Sequence, residues 1–253
     1  MDMDSKKIYK YYAEIYDLVY PSKNDANFYV TQAKKLGGPV LELGCGTGRV
    51  LIQIAREGMR VTGLDLSRDM LNLLMKKIQK EKFAKNIELI EGDMRDFYIP
   101  KKFRLAIMPF RPFQHMLTRK DQEKCIRNIY KHLDKNGLLI MDIFNPDLSK
   151  PENVVEHHIT ATDEEGNLLT KSGAIRFDKK RQILKVRFYL DKISKDKRVE
   201  RKIMGFEMSY LFEGQLKELL EKNGFRVLNV YGDFDGSEFR EGSKEIIVIA
   251  KKI

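Results

Sequence analysis

The chain has 253 residues, 42% hydrophobic and 33% charged, with 47 Lys and Arg against 37 Asp and Glu for a formal charge of +10. This length is close to what one hydrophobic core supports, and no run reaches the roughly 18 apolar residues a membrane helix needs, so one globular domain with an embellishment is expected. Cys45 and Cys125 stand far apart without Cys or His at ligand spacing, so neither a disulfide framework nor a zinc site is indicated, while the polar start MDMDSKKIYK lacks a signal peptide's apolar centre and reads as cytoplasmic.

In chain order, a tyrosine-rich arm, YKYYAEIYDLVY, precedes a helix predicted over 24–36. Pro39 to Leu43 is a short apolar strand, Gly44 to Gly48 a glycine-dense turn, and VLIQIAREG a helix stopped near Gly58. Arg60 to Leu64 forms the second strand, and Ser67 caps a helix carrying Met70, Leu71, Leu74 and Ile78 at helical spacing. Asn86 to Ile90 and Phe103 to Met108 are the third and fourth strands. Thr118 opens a helix closed by Gly137, and Leu138 to Phe144 is the fifth strand. Strands alternating with helices in this way specify a parallel sheet with helices on both faces. After Pro146 the alternation turns to period two near 153–161, 168–177, 182–193 and 200–212, which predicts an antiparallel insert. A helix from Glu213 to Lys222 and strands at Phe225 to Tyr231 and Glu245 to Lys251 then complete the main sheet.

Ligands of open α/β sheets bind beyond the carboxyl ends of the strands. At the first end the glycines of Glu42-Leu43-Gly44-Cys45-Gly46-Thr47-Gly48 admit close approach of a ligand, and the N–H groups of the following helix suit a carboxylate. The spacing is not the GxGxxG of a dinucleotide pyrophosphate site. At the second end Asp65 is placed to accept two ribose hydroxyls, with Leu66 beside it to cover one face of a base. At the third, Asp93 offers a carboxylate to an exocyclic amine and Met94 a backbone N–H to an adenine ring nitrogen.

The run VLELGCGTGR, then VTGLDLS, then IEGDMRDF, resembles the successive cofactor motifs of class I S-adenosylmethionine-dependent methyltransferases in order and spacing. The resemblance implies a Rossmann-like, seven-stranded, mostly parallel α/β sheet, with S-adenosylmethionine as cofactor and S-adenosylhomocysteine as product. It implies that Gly44, Cys45 and Gly46 line the methionine moiety, that Glu42 orients their loop, that Asp65 holds the ribose, and that Asp93 and Met94 read the adenine. Tyr12, Tyr16 or Tyr20 of the arm would close over the sulfonium, which aromatic faces attract; the competing reading is a hydrophobic face packed on the sheet.

Methyl transfer is an in-line displacement, so the protein must chiefly align the acceptor and exclude water. The loop after the fourth strand, MPFRPFQHM, carries His115 as a base or positioning group, Phe110 and Phe113 as pocket walls, and Arg111 as a contact for an anionic group. It lacks the motifs of enzymes that methylate DNA bases and the acidic metal ligands of catechol-type enzymes, which favours a small acceptor methylated on nitrogen or oxygen. The Tyr arm and insert resemble small-molecule N-methyltransferases of the glycine/sarcosine or amino-sugar type. The expected layout is 1–36 as arm and lid, 37–147 as cofactor-binding core, 148–212 as insert and 213–253 as completion of the core sheet. A monomer or homodimer without membrane contact is expected. Two alternatives stand beside this: an RNA methyltransferase, for which the basic stretch Lys179 to Lys202 speaks, and a cofactor-binding regulator without turnover. Interspersed Lys and Glu suit a heat-adapted surface before they suit nucleic acid.

Overall fold

The computed structural model describes residues 16–17, 25–163 and 165–253. Helix α1 (Asp25–Leu36) leads into strand β1 (Val40–Leu43), followed by α2 (Leu51–Arg56), β2 (Val61–Asp65), α3 (Arg68–Ile78) and β3 (Ile87–Glu91). Strand β4 (Phe103–Met108), helix α4 (Arg119–His132) and strand β5 (Leu133–Phe144) complete the first half. The insert is β6 (Glu156–Thr162), β7 (Leu168–Asp178), β8 (Ile183–Ile193) and β9 (Val199–Ser209), and the chain returns through α5 (Glu213–Lys222), β10 (Phe225–Tyr231) and β11 (Glu245–Lys252).

The main sheet has seven strands in the order β10-β11-β5-β4-β1-β2-β3. Strands β3, β2, β1, β4 and β5 pair in parallel, while β11 runs antiparallel to both β5 and β10. The chain winds outward from β1 to β3 and then crosses to β4, so the order reverses between β1 and β4, which opens a crevice at their carboxyl ends. Alternate strand residues serve opposite faces. Leu41, Leu43, Ala106, Met108, Leu139 and Met141 pack under α4 and α5. Val40, Val61, Leu105, Ile107 and Ile140 pack under α1, α2 and α3. Both cysteines are free and buried.

The two predicted caps form: Ser67 Oγ accepts from the Met70 N–H at 3.4 Å, and Thr118 Oγ1 from the Asp121 N–H at 3.1 Å. One boundary differs from the sequence reading. Helix α4 ends at His132, and Gly137 lies inside β5 rather than closing the helix. Leu133 already pairs with Phe103, and the register then shifts so that Leu138 meets Leu105. The intervening residues bulge out, with Asn136 at φ 65°, a conformation that Asn tolerates.

The insert is a separate four-stranded antiparallel sheet, β6-β7-β8-β9. Gln114 joins it to the core: its Nε2 donates to the Ser209 carbonyl at 2.9 Å, and its Oε1 accepts from the Phe144 N–H at 3.0 Å. Phe177, Leu184, Val186 and Tyr210 cluster beside this junction against Phe144 and Phe206. Among the described residues no helix is long and apolar enough to cross a membrane.

Candidate active site

Strand β1 is buried along its whole length and delivers the glycine turn to the crevice. The N–H of Gly44 donates to the Leu64 carbonyl at 2.7 Å, tying the turn to β2. Gly44 has φ +70°, and a Cβ there would lie 2.6 Å from Cβ of Pro112, so both the conformation and the space require glycine. Cys45 turns its thiol into the core: a Cβ on Gly63 would meet its Sγ at 2.8 Å. Burial pushes that thiol well up, so Cys45 contributes backbone to the turn, and no nucleophile.

Asp65, at the end of β2, binds the two segments that frame the crevice. Its Oδ2 accepts from the Gly46 N–H at 2.7 Å and its Oδ1 from the Ser67 N–H at 2.8 Å. Burial raises its pKa, and these backbone donors oppose the rise. A carboxylate has about four lone-pair sites, so these backbone donors leave acceptor capacity for a ligand. Asp65 lines the cavity together with Gly44, Gly46, Leu66, Asp93 and Met94.

At the third strand end the structure adds a partner that the sequence reading missed. Arg95 clasps Asp93, with Nε 3.0 Å from each carboxylate oxygen and Nη2 2.5 Å from Oδ2, and its N–H donates to Oδ1 at 2.8 Å. Arg95 thereby holds the Asp93 carboxyl below its usual range. The Asp93 side chain is fixed in orientation and shares its lone pairs with a guanidinium.

The loop after β4 carries backbone strain. Phe110 and Arg111 both sit at positive φ, 66° and 69°, a conformation costing of order 1–3 kcal/mol for a non-glycine residue. Several contacts hold it. Asp142, buried in β5, accepts from the Phe110 N–H at 2.8 Å and from the Tyr29 hydroxyl at 2.6 Å. Burial raises the Asp142 carboxyl to about 6. Arg49 pairs two-pronged with buried Asp25 (Nη2 to Oδ2 2.6 Å), and its guanidinium lies 5.5 Å from the Phe110 ring centroid. Tyr29, Asp25 and Asp142 belong to no short sequence signal, and Arg49, though it ends VLELGCGTGR, finds its partner on α1, so each contact joins distant elements.

Phe113 and Arg111, two of the expected acceptor contacts, are placed differently by the structure. Phe113 is fully buried in the core and is absent from the cavity wall, since the 3-10 turn Pro112–His115 sends it and His115 to different sides. Arg111 reaches the cavity but is ion-paired with Glu245, with Nε 3.3 Å from Oε2, and stacks over Phe144. Its charge is already met. Phe110 and His115 do line the cavity. The enclosed setting lowers the His115 pKa to about 4, and its ring stands 5.7 Å from that of Phe206 on the insert.

Tyr12 and Tyr20 lie outside the described residues. Tyr16 lines the cavity. Its neighbour Asp17 accepts from the Thr47 hydroxyl at 2.7 Å and pairs with Lys77 at 2.5 Å, so this part of the arm is fastened to the glycine turn. The cavity spans about 2650 Å³, from the glycine turn to the face of the insert that carries Lys171, Phe188 and Phe206. Pockets for a single small ligand run to about 300–1,000 Å³, so this one has room for a cofactor and an acceptor together. Among the described residues no group of three or more His, Cys, Asp or Glu is placed to hold a metal ion.

Residues 40–137 match the family described as a methyltransferase domain. This segment is similar to a methyltransferase domain. The fold also superposes on an amino pentose methyltransferase of Micromonospora echinaspora solved with S-adenosylmethionine bound, with a TM-score of 0.72 at 14% identity. Over 91% of its length the chain is 23% identical to a glycine/sarcosine N-methyltransferase of Aphanothece halophytica, 83% of which is covered. Over 52% of its length it is 26% identical to a dTDP-3-amino-3,4,6-trideoxy-alpha-D-glucopyranose N,N-dimethyltransferase of Streptomyces venezuelae, covering 56% of that protein. The chain spans about half the length of several curated relatives, 43–56% of four of them. Its fold superposes on the CcbJ methyltransferase of Streptomyces caelestis with a TM-score of 0.86 at 20% identity, covering 99% of both chains.

The residues behind the glycine turn fit the donor that the sequence motifs lead one to expect. Oε2 of Glu42 is buried behind the glycine turn and has no hydrogen-bond partner among the described residues. Its pKa is raised to about 8, chiefly by burial, and Asp25 and Asp65 raise it further. An acidic group in this state suits the approach of an ammonium, which the methionine end of the donor carries.

Proposed function

We propose that this protein moves a methyl group onto an amine nitrogen of a small molecule held between the glycine turn and the insert sheet. The observation that carries the reading is the single cavity reaching from Gly44, Gly46 and Asp65 to Phe206 and Phe188, too large for the donor alone. Bound S-adenosylmethionine supplies an electrophilic methyl group on a sulfonium. Gly44, Cys45 and Gly46 present backbone to its methionine end, with Glu42 behind them. Asp65 accepts from the ribose hydroxyls, Leu66 covers one face of the adenine, and Asp93, oriented by Arg95, reads the adenine edge with Met94. The arm acts as a lid, for which the Asp17 contacts with Thr47 and Lys77 speak. In this reading residues 1–36 form arm and lid, 37–147 the donor-binding core, 148–212 the acceptor-facing insert and 213–253 the rest of the core sheet.

His115 then takes the role of a positioning group. An imidazole whose pKa is about 4 stays neutral at physiological pH, so it accepts a hydrogen bond from the amine and orients the lone pair. It is too weak a base to strip an ammonium, whose pKa lies far above it. Phe110 walls the pocket and helps keep water out. The cations of the basic stretch support a small acceptor over RNA, because several are paired across the sheet: Lys185 with Glu207, Arg201 with Asp191 and Lys192 with Asp163.

Calorimetry tests the donor half, with micromolar binding of S-adenosylmethionine as the expected result. Radiolabelled methyl transfer to a panel of small primary and secondary amines, run beside tRNA, tests the acceptor half. Transfer to tRNA alone sinks the small-amine reading, and donor binding with no transfer to any acceptor leaves a regulator in its place.

A further inference from the structure

Helix α1 makes two contacts from one face, and both lead to Phe110 in the cavity wall. Asp25 and Tyr29 are four residues apart on α1, hence neighbours on one side of it, and both are buried. Asp25 grips Arg49 with both carboxylate oxygens, and that guanidinium lies 5.5 Å from the Phe110 ring centroid. The Tyr29 hydroxyl donates to Asp142 Oδ1 at 2.6 Å, and the same oxygen accepts from the Phe110 N–H at 2.8 Å. Burial and the adjacent carboxylate hold the Tyr29 hydroxyl well above its usual pKa, so it remains a donor.

Phe110 needs such holding. It and Arg111, set between Pro109 and Pro112, both keep a positive φ, and a released loop relaxes toward the negative φ that side chains prefer. One oxygen of Asp142 serves two donors, so the Tyr29 hydroxyl fixes the carboxylate in the orientation that the Phe110 N–H meets. Pro112, just beyond the strained pair, abuts the donor turn, since a Cβ on Gly44 would lie 2.6 Å from its own. Neither Tyr29 nor Asp142 lines the cavity, whereas Phe110 does. Any influence of the first two on a bound molecule therefore passes through Phe110.

Building on the methyl-transfer reading above, we propose that Tyr29 is a positioning residue for the acceptor: acting through Asp142, it fixes Phe110 in the strained conformation that sets its ring in the pocket wall. Asp25 steadies the same ring from the other side through Arg49. What Asp142 supplies is an oxygen that accepts two hydrogen bonds, so its charge and its proton play no part in the role. One turn of α1 thus sets the acceptor wall against the donor turn.

Amide exchange followed by NMR on the full chain reads the Phe110 N–H directly, with the amides of Ile107 and Ile140 in the central strands as references for global opening. Tyr29→Phe, which keeps the ring and its packing, is expected to speed exchange at Phe110 by at least about tenfold relative to those references, the size of one hydrogen bond to a charged group. Asp142→Asn, which keeps an oxygen acceptor, loses less of the protection than Asp142→Leu. Tyr29→Phe decides the matter should Asp142→Leu fail to fold. With the panel amine that the intact protein methylates fastest, Tyr29→Phe raises the acceptor KM and lowers kcat/KM. The calorimetric affinity for S-adenosylhomocysteine stays constant. Unchanged exchange at Phe110 in Tyr29→Phe, or faster exchange with an unchanged acceptor KM, would overturn the assignment. Failure of the intact protein to bind S-adenosylmethionine, or to methylate any panel amine, would instead overturn the methyl-transfer reading, and the exchange rates would still decide whether Tyr29 holds Phe110.

Discussion

The carboxyl edge of the main sheet and the facing wall of the insert enclose one cavity but are built in different ways. The donor edge is made largely of backbone: a glycine turn, strand ends, and N–H groups gathered by Asp65. The insert wall is made of side chains, with Lys171, Phe188 and Phe206 projecting from adjacent strands whose outer residues are charged and paired. Backbone geometry constrains sequence locally, through glycine and strand-end acids, whereas a side-chain wall is free to change with the acceptor. The two regions should therefore fail independently when mutated.

The largest effect is expected at Asp65. Asp65→Ala removes the proposed acceptor for the ribose and the anchor of Gly46, and with charge-assisted hydrogen bonds contributing about 1.5–3 kcal/mol each, calorimetry should show donor affinity falling by about a hundredfold. Loss of acceptor binding at saturating donor, with donor affinity intact, would contradict the division. Gln114→Ala strikes the junction instead. It leaves the Ser209 carbonyl and the Phe144 N–H unpaired in a buried setting, a cost of about 2 kcal/mol in chemical denaturation. Acceptor KM should rise while donor affinity holds. A smaller effect is expected for His115→Asn: about a tenfold loss of kcat/KM, and a pH profile with no limb near 6.5 belonging to this residue, as its pKa of about 4 requires. A loss beyond about a hundredfold, with a neutral-pH limb disappearing, would make His115 a proton acceptor.

Legibility follows the same division. The strands and helices of the core were readable from periodicity and caps, and the turn at Gly44 and the acids Asp65 and Asp93 from their places at successive strand ends. The helix end assigned to Gly137 misled because a bulge uses the same Asn-Gly pair that stops a helix. Phe113 and His115 looked equivalent in MPFRPFQHM, since only the turn formed at Pro112 decides which one enters the core. Arg95 was hidden because an acid and a base two residues apart face each other only in a turn. Lys171 was invisible for a more general reason: its alternation matches that of any half-buried strand, and burial of its ammonium depends on Phe188 from the next strand.

The last effect is read in stability against pH and is specific to the donor edge. Glu42, with its usual value near 4.5 raised to about 8, keeps its proton in the folded protein over a range in which the unfolded chain has lost it. Across that range the native state binds more protons, so stability falls as pH rises from about 4.5 to about 8. His115 has the opposite sign, its 6.5 lowered to about 4, and adds stability as pH rises between those values. The two oppose each other below pH 6.5, and above it the Glu42 effect stands without that opposition. Glu42→Gln, which keeps the shape and removes the ionisation, should flatten the decline in Tm between pH 6.5 and 8, with a gain in Tm over the wild type that is larger at pH 8 than at pH 5.5. The donor adds a second reading: an ammonium brought close to Glu42 favours its ionised form, so binding near pH 7 should release a proton. Calorimetry in buffers of different ionisation enthalpy detects that release, and its persistence in Glu42→Gln would place the proton on another group.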